Sequence, residues 1–253
     1  MSRSQGTLLI LGGTSAVAQS YARLQAARGR RIVLAGRRKP ALAANADDLV
    51  HRGASEAGVV VCDLADTGSL ARHWDAVVAE HGPIGEVLIA YGLLGEQADT
   101  QGDAAHLEAS LRTNFTSAAL WAERAFDHMN RVGQGQITVI GSVAGDRGRQ
   151  SNYHYGAAKG ALERFMQGMA HRAAKTPEAK IGVLLVKPGF IDTPMTDHLD
   201  KGGPLWATPE QVAGAIDRAV ARGRNSVYAP WFWRYILLII RSVPRFVFHR
   251  TGL

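Results

Sequence analysis

Seven short apolar runs recur along this chain, at residues 7–11 (TLLIL), 31–35 (RIVLA), 59–62 (VVVC), 86–90 (EVLIA), 135–141 (GQITVIG), 181–186 (IGVLLV) and 226–228 (SVY). Each is too short for a helix and is bounded by turn residues, so each reads as a buried strand. Stretches of helical apolar spacing lie between them, as at Leu162, Phe165, Met166 and Met169. At 253 residues, 46% hydrophobic and 20% charged, the chain has the size of one α/β domain with a substantial core.

The first run leads into Gly12-Gly13-Thr14-Ser15-Ala16-Val17-Ala18, and then into a helix with Tyr21, Leu24 and Ala27 on one face, ended by Gly29. Strand, glycine turn and helix open a dinucleotide-binding unit. Glycine lets the backbone approach a pyrophosphate, which sits at the positive helix N-terminus. An ordinary strand–helix turn would look the same. After the second run, Gly36-Arg37-Arg38 contains no acid to bind a ribose 2′-hydroxyl. Arg37, with Arg38 beside it, can instead pair with a 2′-phosphate; the alternative is a solvated basic loop. Thr67 is placed to cap the helix after the third run.

The chemistry concentrates between Ser142 and Lys159. Ser142 falls where the fifth run ends. Tyr155 and Lys159 are four apart and share one face of the following helix. A phenol backed by an ammonium is a device for protonating a carbonyl oxygen. The cation favours the phenolate and lowers the Tyr155 pKa, while the Ser142 hydroxyl holds the same oxygen. Tyr-x-x-x-Lys alone also fits a half-buried tyrosine beside a surface lysine; the serine thirteen residues upstream argues against that.

These three residues, at this spacing, resemble the catalytic set of the short-chain dehydrogenase/reductase family. The resemblance spans about residues 7–229. It implies an α/β fold: a Rossmann-type, doubly wound parallel sheet in the order 3-2-1-4-5-6-7 with helices on both faces. Residues 1–229 would form one domain and 230–253 an apolar, basic extension. It implies an NAD(P)-dependent oxidoreductase using NADPH, with Ser142, Tyr155 and Lys159 catalytic. Asn114 matches the family's asparagine that kinks a long helix, here about 103–131, and holds a water beside the lysine. Carried-over cofactor contacts are Gly12, Thr14, Ser15, Ala16 and Val17 of the loop, Asp63 against the adenine amino group with Leu64 beside it, and Gly92. Tyr155 and Lys159 contact the cofactor as well. Residues 188–193 match the family's Pro-Gly-x-x-x-Thr. There Pro188 and Gly189 form the turn, and the backbone near Ile191 and the Thr193 hydroxyl hold the nicotinamide carboxamide. Two departures stand out. Ala16 and Ala18 replace the second and third glycines, and Ile89-Ala90-Tyr91-Gly92 replaces Asn-Asn-Ala-Gly.

Other classes find less support. The net charge of +7 is dispersed and lacks an aromatic–basic motif, so nucleic acid is not an expected partner. The nine histidines form no ligand-spaced cluster, so no metal is expected. A single cysteine, Cys62, fits a reducing compartment, and the N-terminal apolar run is too short for a signal peptide. Residues 194–207 read as a mobile substrate lid. Thr208-Pro209-Glu210-Gln211 reads as a capping box opening a helix that ends near Gly223.

The tail is unusual. From Pro230 to about Ser242 it is apolar almost all round as a helix, with Arg234 and Arg241 on one stripe. The uncharged run falls short of the roughly 20 residues that span a bilayer, and Pro244 interrupts it. Two readings fit: an in-plane membrane helix with snorkelling arginines, or a helix buried in the interface of a homodimer or homotetramer. With residues 91–95 and 151–156, this ending resembles one branch of the family, the bacterial decaprenylphosphoryl-2-keto-ribose reductases. Their chemistry serves cell-wall precursor synthesis. The resemblance implies a lipid-linked or other hydrophobic ketone substrate, specifically the 2-keto group of a polyprenyl-phosphate-linked pentose. It further implies a flavin oxidase partner and a cytoplasmic place, peripheral on the inner face of the membrane. A 3-ketosphinganine or 3-ketoacyl substrate is the alternative. A non-catalytic nucleotide sensor on the same fold is another; it would not need Tyr155 and Lys159, and both are present.

Overall fold

The computed structural model describes residues 6–197 and 202–251. Its strands are β1 (Thr7–Leu11), β2 (Arg31–Gly36), β3 (Glu56–Val61), β4 (Ile84–Ile89), β5 (Gln134–Ile140), β6 (Lys180–Pro188), β7 (Phe190–Ile191), β8 (Trp206–Ala207) and β9 (Ser226–Ala229). Seven of them form one parallel sheet in the order β3-β2-β1-β4-β5-β6-β9. This is the expected order, with β9 as the seventh strand. The two-residue strands β7 and β8 pair separately, a ribbon too short to leave a signal in the sequence.

Alternation along each strand divides the core. Leu8 and Ile10 face one side with Ile32, Leu34, Leu184 and Val186, under α1 (Ala16–Ala26), α2 (Lys39–His51) and α8 (Pro209–Ala221). Leu9 and Leu11 face the other, under α3 (Leu70–His81), α6 (Ser117–Val132) and α7 (Tyr153–Ala174). A parallel sheet covered on both faces needs such continuous apolar strands.

Local expectations fared unevenly. The face of α1 is shifted: Tyr21 is buried, but Leu24 and Ala27 are exposed, and Val17, Ala18, Ala22 and Ala26 make the contact. Small residues win this face because α8 packs close against it. Thr67 does not cap α3: it opens a 3-10 turn, Thr67–Ser69, capped by Asp66, whose side chain accepts from Gly68 N, and α3 follows with Ser69 at its N-cap. The capping box at Thr208 and Gln211 forms as expected. The long helical stretch around Asn114 is broken. A short α4 (Gln97–Thr100) precedes α5 (Ala104–Leu111), and a π-helical turn over Arg112–Thr116 joins α5 to α6. Of the lid, Pro194–Thr196 form a 3-10 turn, and residues 198–201 lie outside the described residues. Among the described residues, no helix is long and apolar enough to cross a membrane.

The tail forms α9 (Trp233–Ser242) and, past Pro244, α10 (Arg245–Phe248). Trp233 and Leu237 are buried against Val143 and Phe190. Trp231, Tyr235, Leu238, Ile239 and Phe246 stay exposed.

Candidate active site

A cavity of about 1120 Å³ opens at the carboxyl ends of β1, β4, β5 and β6, where doubly wound sheets bind their ligands. Ser142 leaves β5 in extended conformation, and its Oγ accepts from Ala144 N at 3.1 Å. This starts a 3-10 turn, Val143–Gly145, that lies against α7. The approach is close because glycines meet there: a Cβ on Gly145 would lie 2.8 Å from Gly160 N. The contact sets Tyr155, in the first turn of α7, on the same cavity as Ser142.

Lys159 is 4% exposed. Its Nζ donates to Ile140 O at 2.9 Å and lies 5.7 Å from the Tyr155 ring centroid. Burial pushes the Lys159 ammonium down to about 8. Burial also pushes the Tyr155 phenol up to about 12, against the smaller opposing influence of the Ser142 hydroxyl. The expected depression of the tyrosine by the lysine therefore does not prevail: desolvation of the phenolate wins. Tyr155 holds its proton at neutral pH, in the form that can donate it.

Asn114 sits in the π-helical turn, buried behind the cavity wall. Its Oδ1 accepts from Leu93 N at 2.9 Å and its Nδ2 donates to Leu93 O at 2.7 Å. A Cβ on Gly92 would lie 2.8 Å from Asn114 Oδ1 and 3.7 Å from Lys159 Nζ, which places the three together. Tyr91, the departure beside Gly92, turns into the α6 side of the core and pairs its hydroxyl with Ser117 Oγ at 2.6 Å.

The remaining site residues read from the sequence all line the same cavity. Gly12, Thr14, Ser15, Ala16 and Val17 form one wall; Arg37, Asp63 and Leu64 another. Pro188, Gly189, Ile191 and Thr193 border the end near Ser142 and Tyr155. These residues fit a dinucleotide. Gly12 takes φ +94°, and a Cβ there would lie 2.8 Å from Tyr91 N, so the loop needs glycine. Ser15 caps α1 without a side-chain hydrogen bond, leaving the N–H groups of the first turn for an anion. Arg37 and Arg38 are exposed and ion-paired to nothing among the described residues.

Three features escaped the sequence. Lys187 is buried at the end of β6. Its Nζ lies 2.5 Å from Asp146 Oδ1 and 2.9 Å from Glu163 Oε2, and donates to Tyr228 Oη at 3.0 Å. Burial opposes its charge, but these partners outweigh it and hold the ammonium above its ordinary value. The cluster ties the Ser142 turn, α7 and the Pro188-Gly189 turn together. Trp233, read as part of a separate tail, lines the cavity. Arg149 and Asn152 line it too; their place between Ser142 and Tyr155 was the available clue.

Comparison with known proteins identifies the family of the chain. The short chain dehydrogenase family model matches residues 6–203. An uncharacterised oxidoreductase of Mycobacterium tuberculosis is 37% identical over 250 residues, covering 96% of each chain. One from Streptomyces coelicolor is 34% identical over 245 residues, covering 96% of this chain and 95% of its own. The structure of a Sphingobium yanoikuyae short-chain dehydrogenase in complex with NADPH superposes with a TM-score of 0.81 at 23% identity, covering 95% of this chain and 97% of its own.

Proposed function

The chain belongs to the short-chain dehydrogenase/reductase family, and we propose that it is an NADPH-dependent ketoreductase acting on the 2-keto group of a pentose carried by a polyprenyl phosphate. The observation that carries the reductase chemistry is the convergence of Ser142, Tyr155 and buried Lys159 on one cavity. NADPH, when bound, supplies the hydride to the carbonyl carbon. Ser142 donates to the carbonyl oxygen and holds it beside Tyr155. The Tyr155 phenol gives that oxygen its proton, closing the alcohol. The Lys159 ammonium stabilises the phenolate left behind and reaches the cofactor ribose. Asn114 positions the Leu93 backbone beside them.

NADPH rather than NADH is supported by Arg37 and by the absence of an acid at the end of β2. The NADPH held by the Sphingobium relative points the same way. The loop residues 12–17, Asp63, Leu64, Gly92 and the 188–193 segment take the roles that the family resemblance gives them. The lipid-linked sugar rests on that resemblance and on the exposed apolar face of the tail, which suits a peripheral seat on the inner membrane face. A flavin oxidase that makes the ketone, and a homodimer or homotetramer, complete the reading.

The test is NADPH consumption by purified protein given a polyprenyl-phosphoryl 2-keto-pentose, against a ketosphinganine. Turnover of the keto-sugar is expected. Turnover of the ketosphinganine alone would move the substrate to the other class.

A further inference from the structure

Among the described residues, Arg149 is a cation without a counterion at the catalytic end of the cavity. It lines the cavity together with Ser142 and Tyr155 and is partly buried. Its guanidinium makes no ion pair or side-chain hydrogen bond among the described residues. The other charged groups nearby are engaged. Asp146 holds Lys187 and Tyr228, and Arg147 caps the carbonyls of Ile240 and Val243 at the end of α9. Arg112, also on the cavity wall, is bound to Glu108 at 2.6 Å. Arg37 and Arg38 lie at the other end, beyond β2.

A guanidinium drawn out of water is normally paired. Burial alone depresses this one, with no carboxylate to offset it. Its planar fork matches an oxyanion such as phosphate. Three residues on, Asn152 lines the cavity at the N-cap of α7. Its side chain makes no cap hydrogen bond, and its Oδ1 is buried with no partner. Such an orphan acceptor is costly unless a ligand donor satisfies it.

We infer that Arg149 and Asn152 form a substrate subsite, in which Arg149 binds a phosphoryl anion carried by the ketone and Asn152 Oδ1 accepts a hydrogen bond donated by one of its hydroxyls. This rests on the ketoreductase reading and narrows its substrate to a phosphorylated, hydroxyl-bearing ketone. A cationic aminoketone such as ketosphinganine would meet the like charge of Arg149, and a neutral ketoacyl chain would leave it unpaired.

Two ketones test this, a 2-keto-pentose 1-(decyl phosphate) and the neutral decyl 2-keto-pentoside, each with saturating NADPH. The wild-type protein should prefer the phosphorylated probe by at least about tenfold in kcat/KM, the scale of one charge-assisted hydrogen bond. Arg149→Met should bring that ratio toward one, and Arg149→Lys should keep part of it. The dissociation constant of NADPH reports whether a cofactor phosphate uses Arg149 instead, and a large loss there overturns the assignment. So does an unchanged preference in Arg149→Met, or no preference in the wild type. If neither ketone turns over, the ketoreductase reading fails separately. Decyl phosphate binding to the NADP-loaded protein, by calorimetry, then decides the subsite: about tenfold weaker binding in Arg149→Met supports it, and equal binding removes it. Arg149 has no ion pair or side-chain hydrogen bond to lose among the described residues, so the variant should melt within a few degrees of wild type; Arg149→Gln serves if it does not fold.

Discussion

A Cβ on residue 189 would lie 1.9 Å from Nε1 of Trp233, so the indole of the tail occupies the space that Gly189 leaves at the end of β6. Phe190 meets the same indole edge-on, with centroids 5.7 Å apart, and Trp233 is 6% exposed. The tail is thus seated on the turn that borders the cavity, beside the residues read as nicotinamide contacts.

Removing this side chain should behave as a core truncation. Trp233→Ala is expected to cost about 3–5 kcal/mol and to lower turnover, both measurable by urea denaturation and NADPH consumption. A stability within 0.5 kcal/mol of wild type, roughly the range of surface changes, would mean that the tail is a loose appendage.

The opposite face of α9 poses a different question. Leu238 and Ile239 are 61% and 68% exposed, with Arg234 and Arg241 exposed beside them. An interfacial helix gains from apolar area and from attraction to anionic lipid. Wild-type protein is expected to co-sediment with anionic vesicles, less so at high salt. Leu238→Glu with Ile239→Glu should abolish that while leaving the melting temperature nearly unchanged. Wild-type protein that stays in the supernatant, with the double variant only splitting an oligomer, would make this face an assembly contact. Deletion from Pro230 is a poorer test, because it also strips Trp233 from the cavity wall.

Lys159 links function to stability. Its ammonium falls from 10.5 to about 8 on burial. A base whose folded pKa is lowered costs the fold most below the folded value, and the cost fades as pH rises from about 8 to 10.5. Lys159→Met should therefore stabilise the protein at pH 7, by up to about 3 kcal/mol less the lost hydrogen bond to Ile140 O, while turnover collapses. The wild-type kcat/KM should fall as pH rises through about 8, where the free enzyme loses this charge. A variant less stable than wild type at pH 7 would contradict the burial penalty.

Cofactor choice turns on Arg37. A charge-assisted hydrogen bond to a 2′-phosphate is worth about 1.5–3 kcal/mol. NADPH should bind about 10- to 100-fold tighter than NADH, and Arg37→Ala should shrink that ratio. Equal dissociation constants in the wild-type protein would remove Arg37 from the site.

The sheet was legible because each of its strands is a local apolar run, and Ser142, Tyr155 and Lys159 because their spacing survives in one dimension. Other features were not, for physical reasons. The Lys187 cluster draws single residues from four elements, Asp146, Glu163, Lys187 and Tyr228, and no local pattern announces it. The pairing of Gly189 with Trp233 joins residues more than forty positions apart. The apolar density of the tail suggested a membrane or a subunit before its own domain. The sign of the Tyr155 shift depends on how deeply α7 is buried, which spacing does not encode.

The most direct measurement is NADPH-dependent ketone reduction by Tyr155→Phe, with NADPH binding titrated on the same preparation. A positioned general acid contributes about 10²–10⁴-fold. The substitution should lower turnover by at least that range while NADPH binds within a few-fold of wild type. Near wild-type turnover on any reducible ketone would show that Tyr155 is not the proton donor.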